Sequence, residues 1–347
     1  METKFIKINT NSPLAPQLED AAKIISRGGL VVFPTETVYG LGASALDADA
    51  AKKIYAAKGR PSDNPLIVHI HKPEDAEKYA LVPPTYYALA EKFLPGPLTI
   101  IMPKRDIVPK KVTGGLDTVA IRCPKNEVAR ELIRLSRVPI AAPSANISGK
   151  PSPTSAQHVI HDLDGKVDMI IDGGECDIGL ESTIVKLDVG GATLLRPGAV
   201  TPQMLSEILP DLKIDRGITE KNETDKAPLA PGMKYKHYAP RAEVTLLVGD
   251  NAECAEYINS HVKNGDKIGV LCFDEVADMI SGGNVIRFGK RSDGKAHAKA
   301  LFSALRNFDG TDVEKILATA VEPVGIDLAT YNRMLKASGY TLVYLNK

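Results

Sequence analysis

Cysteine is scarce in this chain, with four residues among 347, at Cys123, Cys176, Cys254 and Cys272. No two of them form a C-x-x-C pair, which argues against a zinc site of the usual spacing. The pattern suits buried, inert thiols in a reducing compartment. Net charge is missing as well. Lysine plus arginine and aspartate plus glutamate both number 43. The chain as a whole is therefore no basic sleeve for nucleic acid, although the balance leaves room for a local basic patch. No apolar run approaches the ~20 residues of a membrane helix. The opening METKFIKINT has no apolar signal-peptide core. A soluble, cytoplasmic protein with no membrane partner is expected. The common signatures of nucleotide and hydrolase chemistry are also absent: no P-loop, no H-E-x-x-H and no G-x-S-x-G.

What is present is ordinary globular composition, 44% hydrophobic and 25% charged, at a length that suits roughly two domains. PQLEDAAKIISRGG spaces Leu18, Ala21, Ala22 and Ile25 as one helical face and stops at glycine. LVVFPT reads as a buried strand, and DADAAKKIYAAKGR as a helix capped at Asp47 or Asp49. PLIVHI is a strand. Helices follow around Glu74 and over Tyr86 to Phe93, then strands at LTIIM and TVAIRC, a helix near Glu127 to Leu135 and a strand at PIAAPSA. TSAQHVIHDL is helical; VDMIIDGG, STIVKLD and ATLLRPG are strands; and a helix starts at Pro202. The predicted result is an α/β domain over residues 1–210 with a twisted mixed sheet and flanking helices.

Residues 211–242 read as linker. Beyond them, 243–347 predict a small Rossmann-like α/β domain: strands at EVTLLVG, KIGVLCF and NVIRF, and helices at AECAEYINSHV, DEVADMI, KAHAKALFSALRNF, DVEKILATA and LATYNRMLKAS. No G-x-G-x-x-G follows the first of these strands, so no dinucleotide site is predicted.

Chemistry-bearing residues gather at strand ends of the first domain, where α/β sheets bind ligands. FPTETVYGLGA crowds Thr35, Glu36, Thr37 and Tyr39 into one turn. Such a turn suits a small polar ligand, and equally an ordinary strand-to-loop connection. AAKGRPSDNPL offers Lys58, Arg60 and Asn64. Two cations beside a fixed proline suit a polyphosphate, while basic residues also favour helix C-termini for purely local reasons. AAPSANISGKPSPT brings Ser144, Asn146, Ser148, Lys150, Ser152 and Thr154 to the end of a strand, in the manner of an anion cradle. Arg122 and Arg196 each sit in an apolar strand, as does Ser182, and a buried arginine needs an anionic partner, either ligand or internal. Of His69 and His71, at most one is expected to face a pocket.

PGMKYKHYAP, Pro231 to Pro240, is too rich in rings and cations for a tether. It is read as a lid over nucleotide, with Tyr235 as the touching residue.

Taken in order, PTETVYGLG, the K-x-R-P and NPL of residues 58–66, T-x-A-x-R-x-P, PIAAPSAN-x-SG, ESTIV and LRPG resemble the threonylcarbamoyl-AMP synthase family, built on a YrdC-like domain, over about residues 10 to 210. PGMKYKHYAP with the second domain is similar to the long form of that family. Gly325, Asn332 and Arg333 keep part of its C-terminal pattern.

The resemblance implies condensation of L-threonine, bicarbonate and ATP into threonylcarbamoyl-AMP and pyrophosphate, with Mg2+. Proteins downstream then place the group on tRNA, on the adenosine next to the anticodon. It also implies that Thr35, His69, Arg122, Ala142 and Ser182 surround threonine. Arg60, Asn64, Thr118, Ser144, Ser152 and Arg196 would contact ATP, with Lys58 and Asn146 as further phosphate or magnesium-shell groups. It assigns no nucleophile and no protein metal ligand set. An RNA-binding YrdC-like module with weak tRNA affinity is the rival reading. Carbamoyl transfer of the hydrogenase-maturation type ranks last, because that family carries zinc-finger segments and this chain has no C-x-x-C pair.

Overall fold

The computed structural model describes residues 2–221, 228, 230, 237–262 and 267–345. It separates into two compact units: Met1–Ser148, Ser152–Asp177 and Glu181–Lys234 form the first, and Gly149–Pro151, Ile178–Leu180 and Tyr235–Lys347 the second.

The first unit contains β1 (Lys4–Lys7), α1 (Leu14–Ser26), β2 (Val31–Phe33), β3 (Gly40–Ser44), α2 (Ala48–Lys58), β4 (Ile67–His69), α3 (Pro84–Phe93), β5 (Leu98–Pro103) and β6 (Thr118–Arg122). It continues with α4 (Glu127–Ser136), β7 (Ile140–Ala142), α5 (Ala156–Leu163), β8 (Met169–Asp172), β9 (Thr183–Asp188), β10 (Gly191–Arg196), α6 (Pro202–Ser206) and β11 (Lys213–Ile214). One sheet runs β1-β8-β2-β3-β7-β4-β6-β5-β9-β10-β11, mixing parallel and antiparallel pairs.

Helix α1 buries the predicted stripe of Leu18, Ala21, Ala22 and Ile25. It packs with α4 over Val31, Phe33, Ile140 and Ala142, and this cluster forms the core beneath the site. Asp47 is the residue that caps α2, accepting from the amides of Asp49 and Ala50, and Gly59 ends the helix at φ 60°. The segment around Glu74 is a 3-10 helix, Pro73–Lys78, rather than an α-helix.

β3 is a strand that the sequence disguises as a turn. GLGAS has neither β-branched nor aromatic residues, yet it pairs with β2 and β7. Its glycines answer a packing demand: a Cβ on Gly42 would lie 2.6 Å from Ile140 Cγ2 and 2.7 Å from Phe33 Cε1. Edge strands β1 and β11, at Lys4–Lys7 and Lys213–Ile214, also escaped prediction.

The second unit holds β12 (Glu243–Val248), α7 (Asn251–His261), β13 (Ile268–Cys272), α8 (Asp274–Ala277), β14 (Asn284–Arg287), α9 (Gly294–Asp309), β15 (Lys315–Thr319), α10 (Asp327–Ala337) and β16 (Leu342–Tyr344). Its five strands are all parallel, in the order β14-β13-β15-β12-β16. The helix predicted over DVEKILATA is instead β15. Ile316, Leu317, Ala318 and Thr319 are buried between β13 and β12, and a short, wholly apolar run does not distinguish a central strand from a helix. With β16 the unit becomes a regular alternation of strand and helix, which keeps its Rossmann-like class.

Candidate active site

The site is laid out by strand register. His69 on β4 lies opposite Arg122 on β6, and Arg122 lies opposite Thr99 on β5. Directly opposed residues share a face. The next member is Ser182, whose Oγ lies 2.7 Å from Thr99 Oγ1. Arg196 then donates from Nε to the Ser182 carbonyl at 3.0 Å and from Nη2 to Ser182 Oγ at 3.2 Å. One row of polar side chains thus runs from β4 to β10, across five strands. Beside it, Ile67, Ile101, Ala120, Ile184 and Leu195 form an apolar patch that also takes in Ala230, the residue just before PGMKYKHYAP.

Glu36 was named in the sequence only as part of a crowded turn, and the structure gives it a central place. Its carboxylate accepts from Arg122 Nη2 at 2.8 Å, with both side chains buried, and from the Asn126 amide at 3.3 Å. Burial pushes the Glu36 carboxyl up, but the charge and hydrogen bond of Arg122 outweigh it, and the group is held below its usual range. Glu36 is therefore ionised and fixes the guanidinium. Arg122 Nε remains buried with no hydrogen-bond partner among the described residues.

His69 is buried, with Nδ1 3.1 Å from the Ile67 carbonyl and its ring edge-on to Phe33. Burial first, and the neighbouring Arg122 charge second, lower its pKa to about 3. The imidazole is neutral at physiological pH, so it offers shape and a polar nitrogen rather than charge. β4 ends at His69, and His71 lies beyond it, half-buried and near the Arg130 carbonyl at 3.2 Å. It does not join the row.

The Thr35 turn is tied to itself. Thr35 Oγ1 donates to the Val38 carbonyl at 2.6 Å, accepts from the Thr37 and Val38 amides, and lies 2.8 Å from Thr37 Oγ1. Ala142 closes β7 opposite Ile67. Thr118 opens β6 on the same face as Ala120 and Arg122.

Lys58 ends α2 and is buried. Its ammonium donates to the carbonyls of Ser144, at 2.5 Å, and Asn146. The Ser148 amide donates back to the Lys58 carbonyl at 2.9 Å. This lysine thus holds the loop that carries Ser144 and Asn146, whose side chains bond each other at 2.5 Å. Arg60 similarly ties its own loop, donating to the carbonyls of Asn64 at 3.2 Å and Pro65 at 3.1 Å. Asn64 Oδ1, like Arg122 Nε, is a buried atom without a partner among the described residues. Ser152 donates to the Glu181 carboxylate, bringing a second acid to the site that the sequence did not single out. Tyr235, the predicted lid contact, lies outside the described residues.

Thr99 and Glu181 are the residues that sequence reasoning missed, and Glu36 is one that it named without a role. Register alone reveals Thr99. The two glutamates stand next to predicted residues, in PTET and ES, and pair with a basic or hydroxyl group that was itself predicted. The cysteines offer no ready nucleophile. The thiols of Cys123 and Cys176 are pushed up to about 12, chiefly by burial, and all four cysteines are buried. The cations Lys58, Arg60, Arg122 and Arg196, with hydroxyls and amides between them, suit a carboxylate and a polyphosphate together.

Known proteins match this chain over nearly its whole length. A family profile described as "Telomere recombination" matches residues 23–198, and one described as "Threonylcarbamoyl-AMP synthase, C-terminal domain" matches 200–339. The chain is 48% identical over 332 residues to threonylcarbamoyl-AMP synthase of Pyrococcus abyssi, covering 93% of this chain and 94% of that one. It is 44% identical over 344 residues to the protein of that name from Bacillus subtilis, covering 98% and 99%. The structure of P. abyssi Sua5 complexed with L-threonine matches all of both chains, with a TM-score of 0.92 and 44% identity. YciO of E. coli, 23% identical over 56% of this chain with a TM-score of 0.51, shares the fold of the first unit. On this evidence the chain belongs to the threonylcarbamoyl-AMP synthase family.

Proposed function

We propose that this protein is an L-threonylcarbamoyladenylate synthase. It condenses L-threonine, bicarbonate and ATP to threonylcarbamoyl-AMP, with release of pyrophosphate and water. The observation that carries the reading concerns unsatisfied atoms. Within the first unit, two buried side-chain polar atoms lack a partner among the described residues: Arg122 Nε and Asn64 Oδ1. Buried polar groups are nearly always paired. The family resemblance assigns Arg122 to threonine and Asn64 to ATP. A threonine carboxylate on Arg122 and a nucleotide donor on Asn64 would satisfy both.

The chemistry asks for positioning more than for a base. The neutral amine of threonine adds to carbon dioxide or bicarbonate to give a carbamate. A carbamate oxygen then attacks the α-phosphorus, forming a P–O bond as the bond to pyrophosphate breaks. Such transfers depend on alignment and charge neutralisation. Glu36 fixes Arg122, and Arg122 fixes the carboxylate. Neutral His69, Thr35, the Ala142 backbone and Ser182 shape the threonine pocket without adding charge that would repel the amine. Arg60, Arg196, Thr118, Ser144 and Ser152 face the nucleotide, and Lys58 holds the loop carrying Ser144 and Asn146. A buried site keeps water from the labile carbamate.

Among the described residues no three His, Cys, Asp or Glu side chains group to hold a metal ion. Mg2+ would accompany the ATP phosphates, with Asn146 as a neutral oxygen donor beside it. No helix of the described residues is long and apolar enough to cross a membrane. The product supplies a cytoplasmic transfer to tRNA. Purified protein should release pyrophosphate only when threonine and bicarbonate are both present; release independent of either would remove this function.

A further inference from the structure

Two hydroxyls lie in the middle of the polar row of the first unit, and their hydrogens can be counted. Thr99 sits in β5 between β6 and β9, its backbone paired with Arg122 on one side and Ile184 on the other. Its side chain is wholly buried, and it cannot move without breaking the sheet. Ser182, 1% exposed, is fixed as well. Arg196 Nε holds its carbonyl at 3.0 Å, and the next amide, that of Thr183, donates to the Pro97 carbonyl at 2.9 Å. The two hydroxyl oxygens lie 2.7 Å apart.

Each hydroxyl has one hydrogen to donate. Arg196 Nη2 donates to Ser182 Oγ at 3.2 Å, so that contact uses neither of them. The contact between Thr99 and Ser182 uses one. Among the described residues neither hydroxyl meets a carbonyl or a carboxylate. One O–H is therefore left without an acceptor, in a place closed to bulk solvent, where an unmade hydrogen bond is costly.

Arg122 is a parallel case one strand away. Its Nε–H is buried with no partner among the described residues, and Arg122 lies directly opposite Thr99. Two donors without acceptors thus belong to the same part of the row. A carboxylate, with two oxygens, can accept from both.

We propose that Thr99 is a positioning residue for the amino-acid substrate. It donates to Ser182 Oγ. Ser182, which also accepts from Arg196, is then left with its own O–H to donate to the substrate carboxylate beside Arg122. The spare hydrogen falls on Ser182 because that residue stands just outside β9, while Thr99 is enclosed between two paired strands. Thr99 itself does not touch the substrate. L-threonine as the amino acid rests on the synthase reading.

The test uses the full-length chain and calorimetric binding of L-threonine alone, so no turnover is needed. Thr99→Val keeps the branched shape and removes the hydroxyl. Ser182 then keeps only Arg196 as a partner and its O–H turns freely, so threonine should bind about three- to tenfold more weakly, the scale of one hydrogen bond. Thr99→Ser should recover most of the loss; no recovery would mark a packing defect and overturn the proposal. The KM for threonine should rise in proportion, with kcat within about twofold. The opposite hydrogen-bond direction predicts the opposite sign. Were Ser182 donating to Thr99, the valine would release its O–H, and threonine would bind as well or more tightly; either result overturns the proposal. Thr99→Val added to Ser182→Ala should cause no further loss, because Thr99 acts through Ser182, whereas additive losses would give Thr99 a contact of its own and overturn it. Wild-type protein that binds threonine but releases no pyrophosphate sinks the synthase reading alone and leaves the comparison of variants to decide the role of Thr99. Wild-type protein that binds no threonine overturns the proposal.

Discussion

Glu36→Gln tests how the site holds its arginine. The substitution keeps the size of the side chain and an oxygen for Arg122 Nη2, but removes the charge. Both side chains are nearly inaccessible, 5% exposed for Arg122 and 6% for Glu36. The variant therefore leaves a buried guanidinium uncompensated, which costs about 3–5 kcal/mol when one partner of a buried pair is lost. Because glutamine still accepts a hydrogen bond, the low end, about 3 kcal/mol, is expected. Removing both charges, in Glu36→Gln with Arg122→Met, should restore much of that loss, since a buried pair replaced by neutral groups is often near-neutral for stability. Urea unfolding followed by far-ultraviolet circular dichroism suits a chain with no tryptophan. The pH dependence supplies a sign. The Glu36 carboxyl is held below its usual value, so its contribution is complete above the ordinary carboxylate range and is lost as pH falls through the lower folded value. Wild type and Glu36→Gln should converge in acid. A single variant within about 1 kcal/mol of wild type at neutral pH, or a double variant showing simple additivity, would refute the reasoning.

His69 is neutral because folding lowers its pKa from 6.5 to about 3. Stability from this residue is present above pH 6.5 and declines as pH falls toward 3, by about 2 kcal/mol at pH 5; the slope should flatten in His69→Asn, and an unchanged slope would contradict its burial as a neutral ring. Gly42→Ala should cost about 1–3 kcal/mol by overpacking, because its methyl meets Ile140 and Phe33; a neutral result in urea unfolding would remove the packing reason for that glycine. Lys58→Met should weaken ATP binding more than tenfold, measured calorimetrically, and leave threonine binding nearly unchanged, since the lysine holds the Ser144 to Asn146 loop; equal losses for both ligands would argue against that division.

Much of the fold was legible because its signals are local. The stripe of α1, the Asp47 cap of α2 and the buried strands at Val31 and Ile67 each follow from neighbouring residues. β3 and β15 were illegible for a physical reason. GLGAS is a strand because Phe33 and Ile140 leave no room for side chains, and KILAT is one because it lies between two other strands. Both causes are tertiary. The site divides in the same way. Arg122, Arg196 and Lys58 stood out as cations in apolar or strand-end settings. Glu36 and Thr99 did not, because their roles depend on partners 86 and 83 residues away.

Pyrophosphate release by the purified chain tests the central claim most directly. Release should require ATP, threonine and bicarbonate together, with an adenylate product carrying both the threonine and the carbamoyl carbon. Release that continues without threonine or without bicarbonate, or an adenylate lacking either group, would contradict it.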